Sequence, residues 1–302
     1  MLNALNKNNL ITLMKRSNLL SKQLKFSQSI ARQTGTLLRK IIRQKNRVVA
    51  YKQSEKDLVT EADKLAEKFL IKKIKSQYPD HLIISEESAS VSNGQHAPLE
   101  AERSGAGFKW IIDPLDGTTN YAHQYPCYAV SIALAACPDF SENKNNEIIL
   151  GVVYNPNLDE MFYGIKGGGA YLNGQRLSVS RTQKLSRSFL STGFSYDIRT
   201  NPGKTFTHFR NFCLAAQAVR RAGSAALDLC YVAAGRFDGF WERDLHLWDV
   251  AAGALLVTEA GGQISNYQGK NYQLSFTSNY KQSLGTVASN GYIHQPMLKV
   301  LM

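Results

Sequence analysis

The stretch WIIDPLDGTTN, residues 110–120, brings two aspartates to the end of an apolar run. Asp113 precedes a proline, which biases it toward extended backbone, so we expect a buried strand over 109–113 that ends at Asp113. Asp116 follows on the turn, and Gly117-Thr118-Thr119 can open a helix whose first N–H groups have no acceptor within the helix. Carboxylates suit Mg²⁺ and helix N–H groups suit phosphate. The stretch therefore predicts a cation site beside an anion site.

The same residues also allow other interpretations, some of which the sequence excludes. Asp-Pro and Asp-Gly are common turn formers and a threonine can simply cap a helix, so a structural role stays open. An EF-hand loop is excluded, because its third and twelfth positions would be Leu115 and Gln124. In the DxDGT motif of haloacid-dehalogenase phosphatases the first Asp is the nucleophile, and here Pro114 occupies that position. No phosphate loop of the GxxxxGKS/T type occurs in the sequence.

Further acids fall at the ends of predicted elements. Glu86 and Glu87 lie at the end of an apolar run, Asp249 opens an apolar helix, and Asp63 sits at a helix start. Each also has a structural alternative. Thr60 with Asp63 forms a capping-box pattern, Asp249 gains from the helix dipole, and Glu87 can be a surface ion-pair partner. Several acids collected at element ends would repel one another, however, unless a cation joins them.

Hydrophobic periodicity predicts a mixed α/β protein. Short buried strands and an antiparallel sheet alternate with amphipathic helices, and a Gly-Gly pair ends the last predicted helix. The predicted helices cover about residues 25–44, 60–79, 223–235 and 248–262, and the predicted strands cover about 82–88, 109–113, 128–136, 148–154, 160–163 and 263–265.

Composition indicates a globular chain with a large core. The chain has 302 residues, of which 43% are hydrophobic. No window approaches the roughly 18 consecutive apolar residues of a membrane span, so we expect a soluble, cytoplasmic protein without membrane contact. The four cysteines form no CxxC pair and have apolar neighbours, which favours buried free thiols over zinc ligands or disulfides.

The positive charge is concentrated at the front of the chain. Residues 1–54 hold twelve Lys and Arg and no acid, and subtracting these twelve from the total of 36 leaves 24 basic against 24 acidic residues elsewhere. The first residues lack the continuous apolar segment of a secretory signal. A flexible or loosely helical extension, a targeting segment and an interaction tail all remain open, and Met14 is a possible alternative start.

Five motifs carry a resemblance to a known family. They are DLVTEAD (57–63), SEES (85–88), DPLDGTTN (113–120), GSAALDL (223–229) and WDVAAGALLVTEAGG (248–262). In order and spacing they resemble the inositol monophosphatases, over about residues 26–292, and residues 220–242 are most similar to the bacterial inositol-1-monophosphatase branch. Ser85 replaces a glycine usual in the family, which removes no ligand.

The resemblance implies the α/β (α+β) fold of inositol monophosphatases and fructose-1,6-bisphosphatases, a layered αβαβα sandwich. Residues 1–24 would form a basic N-terminal extension. Residues 25–302 would form a single domain, with an N-terminal half over about 25–185 and a C-terminal half over about 186–302.

The resemblance also implies two to three Mg²⁺ ions per active site. Glu86, Asp113 and the backbone carbonyl of Leu115 would bind the first ion. Asp113, Asp116 and Asp249 would bind the second, and Glu86 would help to hold a third, weaker ion. Asp113 would thus serve two ions at once, which accounts for two aspartates placed so close together.

Catalytic and phosphate-binding roles follow from the same resemblance. Thr118 and Glu86 would position the attacking water, with Asp63 hydrogen-bonded to Thr118. The N–H groups of Gly117 and Thr118 would bind the phosphate, and Lys52 would approach the same region. No protein nucleophile is required.

The substrate implied is myo-inositol 1-phosphate or a related small polyol phosphate. The backbone at Ala225 and the side chain of Glu242 would meet its hydroxyls, together with Asp116 and Asp249. Fructose 1,6-bisphosphate, an adenosine bisphosphate and histidinol phosphate remain alternative substrates. Family members further suggest lithium sensitivity, a homodimer, and a possible second role with RNA or the RNA polymerase antitermination complex.

Overall fold

Two sheets, each covered by helices, make up the framework of the computed structural model, which describes residues 7–43, 49–51, 58–91, 107–136, 147–270 and 284–302. The helices are α1 (Lys7–Ile41), α2 (Glu61–Gln77), α3 (Glu86–Val91), α4 (Thr118–Ala122), α5 (Thr205–Ala215), α6 (Ala225–Ala233), α7 (Leu247–Glu259) and α8 (His294–Leu301). The strands are β1 (Val49–Tyr51), β2 (Leu58–Thr60), β3 (Leu82–Ser85), β4 (Phe108–Asp116), β5 (Ala129–Ala136), β6 (Glu147–Asn155), β7 (Glu160–Ile165), β8 (Gly169–Leu172), β9 (Gln175–Arg176), β10 (Phe189–Thr192), β11 (Ala218–Arg220), β12 (Gly239–Leu245), β13 (Gln263–Ser265) and β14 (Leu284–Ser289).

The larger sheet has seven strands in the order β3-β4-β5-β6-β7-β8-β9. β3 runs parallel to β4, and every other pair in this sheet is antiparallel. The smaller sheet has five strands in the order β11-β10-β12-β14-β13, with β10 parallel to both of its neighbours. The predicted antiparallel sheet is thereby confirmed in β5, β6 and β7.

Three apolar clusters define the layers. One lies between α1, α2 and the seven-stranded sheet and includes Trp110 and Leu70. The second surrounds α6 and α7 between the two sheets, and the third joins the outer face of the five-stranded sheet to α5 and α8, where Phe212 stacks on Trp241. The order helix, sheet, helix, sheet, helix confirms the layered αβαβα sandwich.

Helix α1 differs from the prediction at its N-terminal end. It begins at Lys7 rather than near residue 25, since no glycine or proline interrupts residues 1–34. The helix therefore crosses the predicted boundary at residues 24 and 25. Gln23 and Ser27 are fully buried on it, while Arg39 and Lys40, with Arg43 just beyond its end, are exposed, so these three basic residues lie on the outer face as expected.

Other boundaries also need correction. β4 does not end at Asp113 but continues through Pro114 to Asp116, because proline is tolerated where a strand carries a bulge. Glu86 belongs to the first turn of α3 rather than to the preceding strand. Among the described cysteines, Cys230 is buried as expected, but Cys213 lies on the solvent side of α5. None of the helices in the described ranges is long and apolar enough to cross a membrane.

Candidate active site

A β-bulge in β4 turns Asp113 and Asp116 to the same side of the seven-stranded sheet. Asp113 pairs with Ser131 and Asp116 with Ala129, so three residue steps on β4 lie opposite two on β5. The extra residue reverses the alternation of side chains along the strand. Leu115 consequently packs in the cluster under α1 and α2, whereas Asp116 joins Asp113 beside the middle layer.

Asp249 completes the acidic cluster from the opposite layer. It lies in the first turn of α7, which packs across β4, β5 and β6. One carboxylate oxygen from each of Asp113, Asp116 and Asp249 lies within 4.8 Å of the other two. Glu86 is also near, because β3 and β4 run parallel and their carboxyl ends are neighbours. The structure therefore brings together four acids that are up to 163 positions apart in the sequence.

Backbone donors fix the orientation of two of these aspartates. The Leu115 N–H donates to Asp113 Oδ1 at 2.9 Å, and the His246 N–H donates to Asp249 Oδ2 at 2.6 Å. Each bond engages one carboxylate oxygen with a group that does not move independently of the fold. Such hydrogen bonds hold metal ligands in place and tune their affinity.

Ser224 is a residue of the site that the sequence interpretation missed. Its hydroxyl donates to Asp116 Oδ2, and the Ala226 N–H donates to the same oxygen at 2.8 Å. Ser224 also caps α6 by accepting from the Leu227 N–H. The helix-cap pattern of a serine before an apolar helix was available in the sequence, but the second bond to Asp116 depends on the packing of α6 against β4.

The electrostatics of the cluster favour a bound cation. Burial raises the pKa of Asp113 well above its usual range, and the neighbouring carboxylates raise it further, Glu86 first among them. Burial and then the charge of Asp249 raise the pKa of Asp116 to about 7. No lysine or arginine of the described residues forms an ion pair with these aspartates. An oxygen-coordinated divalent ion such as Mg²⁺ fits this arrangement, because it would replace the repulsion with attraction.

Proton competition gives a testable pH dependence. A raised pKa means that metal-free Asp116 holds its proton up to about pH 7, and this proton must leave when a cation binds. We expect Mg²⁺ affinity to fall about tenfold per pH unit for each displaced proton as the pH drops below 7. Calorimetric titration with Mg²⁺ at pH 6 and 8, in buffers of different ionisation enthalpy, measures the release. An affinity independent of pH between 6 and 8 would contradict this assignment.

Thr118 and Asp63 form a second buried polar unit beside the acids. The Thr118 hydroxyl donates to Asp63 Oδ1 at 2.8 Å, and its oxygen lies 3.2 Å from the Leu115 carbonyl oxygen. The single hydroxyl proton is directed to one acceptor at a time, so the Thr118 lone pairs remain available as acceptors. The capping alternative for Asp63 involves the side chain of Thr60, a residue of which the structure describes only the backbone.

The N-terminus of α4 borders the acidic cluster. Gly117 adopts a φ of 93°, and a Cβ there would lie 2.9 Å from the Cys127 carbonyl oxygen. Any other residue would therefore be strained both in conformation and in space. The first hydrogen bond inside the helix runs from the Tyr121 N–H to Gly117 O at 3.0 Å. The N–H groups of Thr118 and Thr119 precede that bond and can bind an anion.

Glu242 lies at the far side of the cluster, on β12. Thr192 pairs with Trp241, which places Gly193 opposite Glu242, and a Cβ on Gly193 would overlap the Glu242 carboxylate. Burial raises the pKa of Glu242 well above its usual range, and the acids around it, including Asp116, raise it further. Ala225, the first residue of α6, directly follows Ser224, so its backbone also borders this space.

The expectations from the sequence for two residues, Lys52 and Glu87, are not confirmed. Lys52 lies outside the described residues. Glu87 is not a surface partner, because only 5% of it is exposed. Its neighbour Ser88 donates its backbone N–H to Glu67 Oε1 at 2.8 Å, which ties α3 to α2.

Together the layered α/β fold and the acids at the strand and helix ends define a site for cation-assisted chemistry on an anionic substrate. The Inositol monophosphatase family model matches residues 19–301, and the chain belongs to that family. It is a phosphatase that hydrolyses phosphate monoesters, as this family does.

Relatives and solved structures agree with this membership. The chain is 41% identical over 245 residues to an inositol-1-monophosphatase of Synechocystis, covering 81% of this chain and 77% of that protein. It is 40% identical over 243 residues to the Nus factor SuhB of Pseudomonas aeruginosa, covering 80% and 84%. The solved structure of inositol monophosphatase from Anabaena (Nostoc) matches with a TM-score of 0.75 and 37% identity, over 94% of this chain and 96% of that one.

Proposed function

We propose that the protein is a Mg²⁺-dependent phosphatase of myo-inositol 1-phosphate and related small polyol phosphates. The observation that carries this proposal is the meeting of the Asp113–Asp116–Asp249 cluster with Glu242 in one site. The cluster supplies ligands for cations, and Glu242 supplies an acceptor for substrate hydroxyls. A substrate that combines a phosphate dianion with several hydroxyls matches both parts.

The ligand set follows the family pattern. Glu86, Asp113 and the Leu115 carbonyl would hold one ion, Asp113, Asp116 and Asp249 a second, and Glu86 would contribute to a weaker third. Bound Mg²⁺ neutralises the phosphate dianion, lowers the pKa of a coordinated water and stabilises the departing alkoxide.

The protein's own groups orient the reactants. Thr118 donates its hydroxyl proton to Asp63, so its oxygen can accept a hydrogen bond from the attacking water, and Glu86 lies on the same side. The N–H groups of Gly117 and Thr118 would bind phosphate oxygens. Because Pro114 stands where a dehalogenase-type nucleophile would be, the protein offers no aspartyl nucleophile in that motif, and water attacks phosphorus directly in line with the leaving oxygen.

In this proposal the polyol lies on the side of the phosphate opposite to the attacking water. Glu242 and the Ala225 backbone would contact its hydroxyls, and Asp116 and Asp249 border the leaving oxygen. Gly193 leaves the room that the Glu242 carboxylate occupies. Lithium inhibition, a homodimer, a cytoplasmic location and the domain limits 1–24 and 25–302 remain predictions that follow from the family.

A turnover panel tests the substrate assignment. We expect kcat/KM to be highest for inositol 1-phosphate among that ester, fructose 1,6-bisphosphate, an adenosine bisphosphate, histidinol phosphate and p-nitrophenyl phosphate. Activity should require Mg²⁺ and disappear with a chelator. A higher kcat/KM for any of the other esters, or activity that survives chelation, would refute the proposal.

Glu242 should control affinity for the polyol rather than for metal. We expect Glu242→Gln to raise KM for inositol 1-phosphate about tenfold, because an amide nitrogen, which cannot accept a hydrogen bond, replaces one of the two carboxyl oxygens that face the hydroxyls. The concentration of Mg²⁺ giving half-maximal activity should not change. Steady-state kinetics at varied substrate and Mg²⁺ measure both. A large change in Mg²⁺ dependence would show that Glu242 belongs to the metal site.

A second role in binding RNA is suggested by one relative and one feature of the chain. The relative from Pseudomonas aeruginosa is a Nus factor, and Arg39 and Lys40 near the C-terminal end of α1, with Arg43 just after it, are exposed. If RNA binds there, affinity should fall with added salt and with the Arg39→Gln/Lys40→Gln/Arg43→Gln variant, while hydrolysis is retained. Binding to labelled RNA at 50 and 200 mM salt tests this. Salt-independent binding would argue against an electrostatic RNA surface.

A further inference from the structure

Asp228 lies on the inner side of α6, against the five-stranded sheet. Side chains alternate along β12, so that Phe240 belongs to the cluster beneath α6 and α7 while Trp241 belongs to the cluster beneath α5 and α8. Glu242 shares the face of Phe240, and Ser191 pairs with Phe240 in register on β10. Ser191, Glu242 and Asp228 therefore meet between α6 and the sheet.

Asp228 and Ser191 are neighbouring buried polar groups whose hydrogen-bonding capacity is not satisfied by protein atoms of good geometry. Asp228 is 1% exposed and Ser191 is 0% exposed. Within the described residues, neither Asp228 oxygen nor the Ser191 hydroxyl has a partner of normal hydrogen-bond geometry. Buried polar atoms in native proteins are nearly always hydrogen-bonded, to protein or to internal water. Three such atoms side by side thus indicate a site for a small polar ligand.

We propose that Asp228 and Ser191 hold an internal water that supports the Glu242 carboxylate, and that Asp228 is thereby a positioning residue for polyol recognition. The inference rests on the proposed function, since it assigns Glu242 to the substrate hydroxyls. Gly193 brings no side chain to the Glu242 carboxylate, and Asp228 on α6 is the acid whose charge acts most strongly on it, so α6 can support this carboxylate. The three polar atoms lie on that side.

The charge state of Asp228 supports this role. Burial raises its pKa well above the usual range, Asp116 raises it further, and the adjacent Ser191 hydroxyl opposes part of the shift. A neutral carboxyl group can donate one hydrogen bond and accept others. It can therefore donate to a water that in turn donates to a carboxyl oxygen of Glu242.

The test compares two variants of Asp228 on two substrates. Asp228→Leu keeps the branch point at Cγ but has no hydrogen-bonding group, whereas Asp228→Asn keeps both a donor and an acceptor. We expect Asp228→Leu to raise KM for inositol 1-phosphate about tenfold, as for the loss of one buried hydrogen bond. Its kcat, and both constants for p-nitrophenyl phosphate, which lacks the polyol, should not change. Asp228→Asn should restore the wild-type KM.

Coupling to Glu242 separates positioning from general destabilisation. The Asp228→Leu/Glu242→Gln double variant should have the KM of Glu242→Gln alone, because the water acts only through Glu242. If Asp228→Leu does not fold, Ser191→Ala should raise KM for inositol 1-phosphate in the same selective way. The matched control is Thr205→Val, which removes another unpartnered buried hydroxyl on α5, across the sheet from α6. It should leave every constant unchanged.

The water itself can be observed. A high-resolution crystal structure should show an ordered water within hydrogen-bond distance of Asp228 and Glu242, and Asp228→Leu should lack it. The proposal is overturned by the absence of that water, by an unchanged KM for inositol 1-phosphate in Asp228→Leu or Ser191→Ala, or by equal effects on both substrates. It is likewise overturned if Asp228→Asn resembles Asp228→Leu. A wild-type protein with no preference for inositol 1-phosphate over p-nitrophenyl phosphate would refute the proposed function itself.

Discussion

Asp113→Asn is expected to lower kcat/KM by about a thousandfold or more, because a bound cation contributes several kcal/mol of transition-state stabilisation and each 1.36 kcal/mol is tenfold in rate. In the proposed ligand set Asp113 serves two ions, so the loss of its charge weakens both. Mg²⁺ binding measured by calorimetry should weaken in parallel.

The same substitution should stabilise the metal-free protein. The pKa of Asp113 is raised by burial and by neighbouring carboxylates, so its ionised form is unfavourable in the folded state. Stability from this group is present below the unfolded pKa of about 3.9 and is lost as the pH rises through the raised folded value. Thermal unfolding with chelator at pH 8 should therefore show a higher Tm for Asp113→Asn than for the wild type.

Opposite effects on activity and stability make this prediction specific. Asp80→Asn, a change at an exposed acid of the turn after α2, is the matched control and should alter neither quantity. Near-normal turnover in Asp113→Asn would remove the basis of the metal assignment. A fall in Tm of the metal-free variant would show that the loss of activity reflects misfolding instead.

Thr118→Val should lower kcat about a hundredfold, the lower end of the range for losing a positioned proton-transfer group. Valine has nearly the shape of threonine but cannot donate to Asp63 Oδ1 or accept from the attacking water. Mg²⁺ affinity should be preserved, since the side chain of Thr118 is not a proposed ligand. Single-turnover kinetics at saturating Mg²⁺ isolate this step.

Thr118→Ser is the control that keeps the hydroxyl. It should retain most of the wild-type kcat, because serine can repeat the bond to Asp63 from the start of α4. A Thr118→Val enzyme with wild-type kcat would exclude Thr118 from positioning water. A Thr118→Ser enzyme as slow as Thr118→Val would show that the methyl group, and hence packing, is what matters.

Much of the fold was predictable because local patterns and tertiary contacts agree. Strand β13 matches its prediction at both ends, and α6, α7 and the strands β5 to β7 fall within a few residues of theirs. In α7 the apolar face, the acid in the first turn and the glycines beyond Ala260 all specify the same helix. The early start of α1 was missed because the prediction rested on the apolar spacing from Phe26 onward rather than on the absence of helix breakers before it.

The sequence by itself determined the chemical inventory of the site: acids at element ends, a glycine that opens a turn, and a serine that caps a helix. Sequence spacing alone did not show that Asp113 and Asp116, three residues apart on one strand, face the same side. That outcome depends on the β4 bulge opposite β5, which changes the alternation by one residue.

Tertiary structure also decided which acids share a site and which atoms hold them. Asp249 reaches Asp113 because α7 packs across the seven-stranded sheet, and Ser224 reaches Asp116 because α6 packs beside it. The unsatisfied hydrogen-bonding capacity of the buried Asp228 depends on the packing of α6 on β10 and β12. Local propensities act over a few residues, whereas the contacts of Asp249 and Ser224 join positions more than 100 residues apart. The free energy that fixes all of these contacts comes from burying the apolar faces between the layers.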